Sequence, residues 1–294
     1  IQKALDTAAA NKGGIVLLPE GKYLVAGNLN VPRGVTLRGV WEGPHSTYEG
    51  EGTLILATGN KGTEDAPPLI MLNVSSTVKG LTVYYPEQNP HEFIPYPWTI
   101  QGNGTHGNVI DCVLVNPYKA IDFGTNRGCE MHYIRNVYGQ PLKMGIFIDG
   151  CTDIGRVENV HFNPNPWTRM REPGMEYKGN SRIMFQQLKE NLVAFKIGKT
   201  DWEYWNNCFV IFAKIGFHFV KTDAGAPNVV LTQCGSDVGH VAVYAGNLQG
   251  HSGVAFVNSQ IMQTVEIGPD NTGPLKFSNC GFWPAGEYGK PQII

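Results

Sequence analysis

The chain has no Cys-x-x-Cys pair and no two histidines four residues apart, so a structural zinc site is not expected. Charged residues make up only 16% of the 294 and nearly balance at a formal −2, which argues against a nucleic-acid-coating or polybasic membrane surface. No apolar run approaches the ~20 residues of a membrane-spanning helix. No glycine-rich strand-to-helix loop is present to cradle a phosphate. A sandwich of hairpins would need Asn-Gly or Asp-Gly turns between short strands, and no regular series of them occurs. No signal peptide is visible, and the sequence opens inside an apparent helix, which leaves room for a segment upstream.

What the chain does contain is a recurring stretch, clearest in Arg156-Val157-Glu158-Asn159-Val160-His161-Phe162. Aligned on its Asn, further copies fall at Gly39, Gly80, Asp111, Asn136, Asn207, Gln233, Asn258 and Asn279. Two positions before this column stand Leu37, Val78, Val109, Ile134, Val157, Trp205, Leu231, Phe256 and Phe277, all apolar. One position after it stand Val40, Leu81, Cys112, Val137, Val160, Cys208, Cys234, Ser259 and Cys280. Strand side chains alternate with period two, so positions minus two and plus one cannot share a face unless the phase shifts at the Asn. Asn and Gly tolerate the left-handed conformation that makes such a bend. Each copy therefore reads as strand, one-residue bend, strand. The last four copies lie 21 to 26 residues apart, a spacing that suits one coil of a solenoid.

A third apolar strand precedes each copy and usually ends in Gly, as in Ala120-Ile121-Asp122-Phe123-Gly124 and Ala194-Phe195-Lys196-Ile197-Gly198. Three strands per coil predict an all-β fold: a right-handed parallel β-helix of three parallel sheets, with about nine to ten coils and one domain over 1–294. Residues 1–12 carry helical spacing at Ile1, Ala4, Leu5 and Ala8, and Gly13-Gly14 stops them, which predicts a helix capping the first coil. Cys112, Cys208, Cys234 and Cys280 fall in the inward column and read as buried free thiols, while Cys129 and Cys151 open adjacent turns. Asn73-Val-Ser and Asn103-Gly-Thr match the glycosylation triplet but read as chance in an Asn-rich chain.

The opening from Ile1-Gln2-Lys3-Ala4-Leu5 through Ile15-Val16-Leu17-Leu18-Pro19-Glu20-Gly21 to Val31-Pro32-Arg33-Gly34-Val35-Thr36-Leu37-Arg38-Gly39 resembles the cap and first coils of the pectate-lyase-like superfamily of right-handed parallel β-helices. The resemblance extends over the whole chain through the repeat. It implies a carbohydrate-active protein, since relatives include pectate lyases, polygalacturonases, glucanases and phage tailspike depolymerases. The clustered aspartates of polygalacturonases and the Asp and Arg signature of calcium-dependent pectate lyases have no match here. No catalytic residue is therefore carried over.

Three long excursions, about 41–65, 84–97 and 163–191, interrupt the coils. All are expected to leave after the post-Asn strand and return before the Gly-ended strand, hence to emerge on one flank and border a cleft. Outward residues of the Gly-ended strands beside that flank are the catalytic candidates: Asp122, Asp149, Lys196 and His218, with Tyr244 as an outward binding residue. The excursions supply Tyr96, Trp98, Trp167, Arg169 and Arg171 as substrate-binding candidates. Glu203 is a secondary candidate, because its position points inward and an acid there needs a buried partner. Neighbouring coils would set Asp122 and Asp149 roughly 5–7 Å apart, near the border between retaining and inverting separations.

Two mechanisms fit. In hydrolysis one aspartate protonates the glycosidic oxygen and the other activates water or attacks. In β-elimination Lys196 or His218 removes a proton and Arg169 or Arg171 neutralises a uronate. The expectation is an extracellular or periplasmic enzyme cutting a polysaccharide or oligosaccharide, with hydrolase slightly ahead of lyase. No cofactor is expected, and calcium only for a lyase. The rival is a glycan-binding or tailspike-like module without chemistry, for which a homo-oligomer, a trimer, is expected. Bland readings stand beside these: Asp122 and Lys196 as a surface ion pair, His218 as a solvated strand residue, and both arginines as pins of their own loop to Glu172 or Glu176.

Overall fold

In the computed structural model, residues 1–283 and 292–294 are described. Strands before the bend stack in parallel from Gly14–Leu17 to Leu275–Ser278 and form a leading sheet. Strands after the bend stack from Gly21–Val25 to Gly281–Trp283 and form a trailing sheet. The Gly-ended strands make a third sheet of nine, from Leu29–Val31 to Thr264–Ile267. The leading and trailing sheets are continuous with each other, because Asn108–Leu114, Tyr133–Gly139 and Arg156–Phe162 run unbroken through the bend.

The bend is where the sequence places it. Asp111, Asn136, Asn159, Asn207, Gln233, Asn258 and Asn279 have φ between 51° and 56°, and Gly80 has φ 68°. Gly39 alone of the column is not left-handed; a Cβ there would meet the Gly80 carbonyl oxygen at 2.2 Å. The side-chain amides form a ladder along the axis: Asn136 donates to Asp111 (2.8 Å), Asn159 to Asn136 (2.7 Å) and Asn207 to Asn159 (3.0 Å). Gln233 breaks the ladder, which resumes from Asn279 to Asn258 at 2.7 Å. A shorter ladder joins Asn103, Asn73 and Asn30 at the end of the third sheet, so both glycosylation-type asparagines have their amide nitrogens engaged.

Inside the tube every minus-two residue up to Phe256 is buried, and aromatic rings stack along the axis, with Phe195 4.9 Å from Phe217 and 5.3 Å from Phe162. The plus-one column is buried from Leu81 to Ser259, and Cys280 is half-buried. Val40 departs from it, being 42% exposed. Thr53 takes its inward place, with its hydroxyl bonded to the Leu18 carbonyl at 2.8 Å and to the Val40 amide at 3.0 Å. All six cysteines are free.

Helix α1 (Gln2–Ala10) closes the first coil with Leu5 fully buried. The Gln2 amide pairs with the Asn30 backbone in both directions, at 2.8 and 2.9 Å. It thereby occupies backbone groups that the sheet edge would otherwise leave open.

The first excursion differs from expectation. Its apolar run Thr53–Ala57 is a trailing-sheet strand, so 41–52 bulges from the bend and only 58–69 links the trailing to the third sheet. The second and third excursions leave and return as expected. The third contains helix α2 (Asn165–Thr168) and helix α3 (Ser181–Asn191), the latter capped by the Asn180 side chain at 3.0 Å.

Candidate functional site

The excursions do gather on one flank. The Tyr48 carbonyl accepts the Arg171 amide at 2.9 Å, Lys22 pairs with Glu172, His91 accepts the Asn180 amide at 2.7 Å, and Gly62 donates to the Pro95 carbonyl at 2.8 Å. They cover a different face from the expected one. His45 lies 2.6 Å from the Thr82 hydroxyl, and the outward trailing-sheet residues Leu54, Thr82 and Val113 are buried. The excursions thus roof the trailing sheet in the early coils. Between the second and third excursions lies a cleft of about 410 Å³ that includes Tyr84, Gln88, His91, Glu176 and Lys178. None of its lining residues belongs to the third sheet.

This burial corrects several sequence candidates. Trp167 is buried, packed edge-on against Tyr177 with centroids 5.6 Å apart. Tyr96 is buried against Tyr85 at 4.7 Å, so neither ring faces solvent. Trp98 is half-buried at the start of an interior strand of the third sheet, with Lys119 Nζ 5.3 Å from its centroid. Lys119 and Lys143 both pair with Glu64, at 3.4 and 2.7 Å. Arg171 pairs with Glu49 at 3.1 Å rather than with Glu172 or Glu176, and Arg169 is exposed.

The outward column of the third sheet runs Gln101, Asp122, Phe147, Lys196, His218, Tyr244, Glu266. Asp122 is nevertheless fully buried. Its Oδ1 accepts the Gly124 and Thr125 amides at 2.8 and 2.9 Å, and its Oδ2 accepts Gln101 at 2.5 Å. Asp149 is half-buried and reaches the other way along the axis, accepting the Lys199 amide at 2.7 Å and the Thr222 hydroxyl at 2.8 Å. The two carboxylates face opposite coils, so they are not brought together as an acid–base pair. Lys196 does not pair with Asp122, because Phe147 stands between them with Lys196 Nζ 5.0 Å from its ring. Burial, and then the Lys196 charge, lower the His218 pKa to about 4, so the ring is neutral at pH 7. Tyr244 meets His218 edge-on at 5.2 Å.

Glu203 does point inward, and its partner is His132 from an earlier coil. His132 Nε2 donates to Glu203 Oε1 at 3.0 Å, and the Trp205 indole donates to the same oxygen at 3.0 Å. His132 Nδ1 faces the Cys129 carbonyl at 2.9 Å, so both ring nitrogens meet acceptors, as an imidazolium requires. Burial pulls the His132 pKa down, but Glu203 and the Cys151 thiol outweigh it and hold it well above 6.5. Any Cβ on Gly155 would come within 2.3 Å of this pair. The pair is sealed in the tube and reads as architecture.

Where the roof ends, a groove opens along the bend. Its volume is about 760 Å³. Outward residues of the trailing sheet, Tyr138, His161 and Phe209, stack edge to face at 5.3 and 4.9 Å along one wall. Asn159, Asn206, Asn207, Gln233, Asn258 and Gln260 present amides beside them. None of the lining residues is Asp, Glu, Lys or Arg, and burial lowers the His161 pKa, so the groove is uncharged at neutral pH. Five successive coils contribute, which at about 4.8 Å per coil spans roughly 19 Å.

No family model matches the chain, and no curated protein matches it in sequence. Solved structures match it in fold. A mutant tailspike protein of the E. coli bacteriophage HK620, in complex with a pentasaccharide, superposes with a TM-score of 0.62 at 10% identity, over 99% of this chain and 60% of that one. The fold is the right-handed parallel β-helix. The chain spans 60% of that tailspike's length. Weaker likenesses to β-helices include the surface adhesin PfbA of Streptococcus pneumoniae (TM-score 0.45, 11% identity, 96% of this chain and 87% of that) and the catalytic domain of a GH87 α-1,3-glucanase in complex with nigerose (0.49, 13%, 100% and 66%). At these identities the likeness concerns the β-helix alone.

Among the described residues of the β-helix, no group of three or more His, Cys, Asp or Glu is placed to hold a metal. Among the described residues no helix is long and apolar enough to cross a membrane. Sequence reasoning passed over Tyr138, His161 and Phe209. Their signal was present: the plus-two position is outward, and three consecutive coils place an aromatic ring there.

Proposed function

We propose that this chain is a glycan-recognition β-helix that seats an uncharged stretch of a polysaccharide or oligosaccharide in the groove along its bend. The observation that carries this reading is the groove's lining: three aromatic rings in edge-to-face contact beside a row of side-chain amides, with no ionised group. Sugar rings have apolar faces and hydroxyl edges, and such walls complement both. An extracellular or periplasmic setting goes with this reading, as does assembly into a trimer.

The test is titration with a panel of neutral and acidic hexasaccharides. Phe209→Ala is expected to weaken binding of the preferred glycan about tenfold, the equivalent of one aromatic platform. Asp149→Asn is expected to leave it unchanged. Equal affinity in the wild type and Phe209→Ala would remove the groove from the function.

A second reading, cleavage at the third sheet, rests on the neutral imidazole of His218 between Lys196 and Tyr244. New reducing ends or unsaturated products on the same panel, lost in His218→Ala, would favour it over binding alone.

A further inference from the structure

Trp202 lies at a different corner of the tube, in the turn between the third and leading sheets, and is 64% exposed. Its φ is 57°, in the left-handed region, a turn conformation shared by Ser75, His106 and Met131 at the equivalent place in earlier coils. What sets Trp202 apart from those turn residues is a large indole left in water, where it adds nothing to the core.

The residues around Trp202 are fixed by tertiary contacts. Asp201 donates its amide to the Cys151 carbonyl at 3.0 Å, and its carboxylate accepts Lys199 Nζ at 2.7 Å and the Gln249 amide. Burial raises the Asp201 pKa, but the Gln249 and Lys199 bonds outweigh it and keep the carboxyl below its ordinary value. On the other side Glu203 is anchored by His132, and the Tyr204 amide donates to the Gly155 carbonyl at 3.1 Å. The indole is therefore presented by a stiff frame. The buried His132–Glu203 pair is part of that frame.

Beside it lies a cleft of about 310 Å³, at the lower end of the range of small-molecule sites. Trp202 and the exposed Tyr204 give it aromatic surface, and Asn228, His251, Ser252 and Asp201 give it hydrogen-bonding groups. The cleft combines one flat apolar platform with polar side chains, and Lys276 also lines it.

We infer that this cleft is a second saccharide site, in which Trp202 stacks on the face of one pyranose ring and Asn228, His251 and Ser252 bond its hydroxyls. It uses no residue of the bend groove, so either site can fail without the other.

The test exposes the whole chain to maltohexaose, cellohexaose, chitohexaose and hexagalacturonate in turn. Protection of Trp202 from N-bromosuccinimide is read by peptide mass spectrometry, and binding by calorimetry. At least one saccharide is expected to protect Trp202. In Trp202→Ala one class of binding event is expected to weaken at least tenfold, while the class sensitive to Phe209→Ala persists. Trp202→Phe, which keeps a ring, is expected to recover much of the loss. If no saccharide protects Trp202, or if Trp202→Ala binds with unchanged number and affinity, the inference is wrong. Loss of a dimer in Trp202→Ala without any saccharide effect would overturn it too, and would assign the surface to self-association.

Discussion

Replacing Glu203 by alanine is expected to lower the unfolding free energy by about 3–5 kcal/mol, the usual consequence of leaving one member of a buried ion pair alone. His132 has no solvent contact and is stacked 5.2 Å from Phe123. Without Glu203 it must either keep an unpaired charge in the core or lose its proton. The Trp205 indole loses its acceptor in the same step. Unfolding in urea measures the change. The double variant His132→Phe with Glu203→Leu is expected to recover part of the loss, since apolar groups of similar volume often replace a buried pair without penalty while the Trp205 indole still lacks its acceptor. A loss below about 1 kcal/mol in the single variant would show that the pair contributes no more than a surface bridge.

The same pair sets a pH dependence. The His132 pKa in the folded state lies well above the 6.5 of the unfolded chain. The folded protein therefore binds the proton more tightly than the unfolded one. The resulting stabilisation is complete below about pH 6.5 and is lost as pH rises through the folded value. Unfolding midpoints should fall on the alkaline side in the wild type, and this component should be missing from the double variant. A midpoint that rises with pH over that range would contradict the assignment.

The second large effect is expected at Asn159. Substitution by valine removes the bond given to Asn136 and the bond accepted from Asn207. It also puts a β-branched residue at φ 52°. Two ladder bonds at about 0.5–1.5 kcal/mol each and a left-handed penalty of about 1–2 kcal/mol sum to roughly 3 kcal/mol. Asn159→Gly loses the same bonds but meets no steric penalty, so it should be milder by about 1–2 kcal/mol. Equal losses in the two variants would mean that the bend conformation is not what the Asn column supplies. Urea unfolding of both, side by side, decides this.

How much of the site could be read in advance depends on what each residue needed. That Glu203 points inward followed from its place relative to Trp205 and the bend. That His132, 71 residues earlier, would meet it did not. Asp122 and Asp149 were correctly assigned to the neighbourhood of the Gly-ended strands, yet alternation says nothing of covering. Asp122 is sealed by Gln101 and by its own turn. Trp167 and Tyr96 had no core column to fill in sequence, but the excursions make small cores of their own when they pack together.

By itself the sequence determined the winding: where each coil bends, which residues turn inward, and where the cap stops. Those are local matters, settled by φ preference and side-chain alternation within a few residues. Only the tertiary structure decided which face the excursions roof and hence which side chains meet solvent. Roofing depends on contacts between segments more than a hundred residues apart, such as Lys22 with Glu172 and Glu49 with Arg171, and no local pattern encodes them.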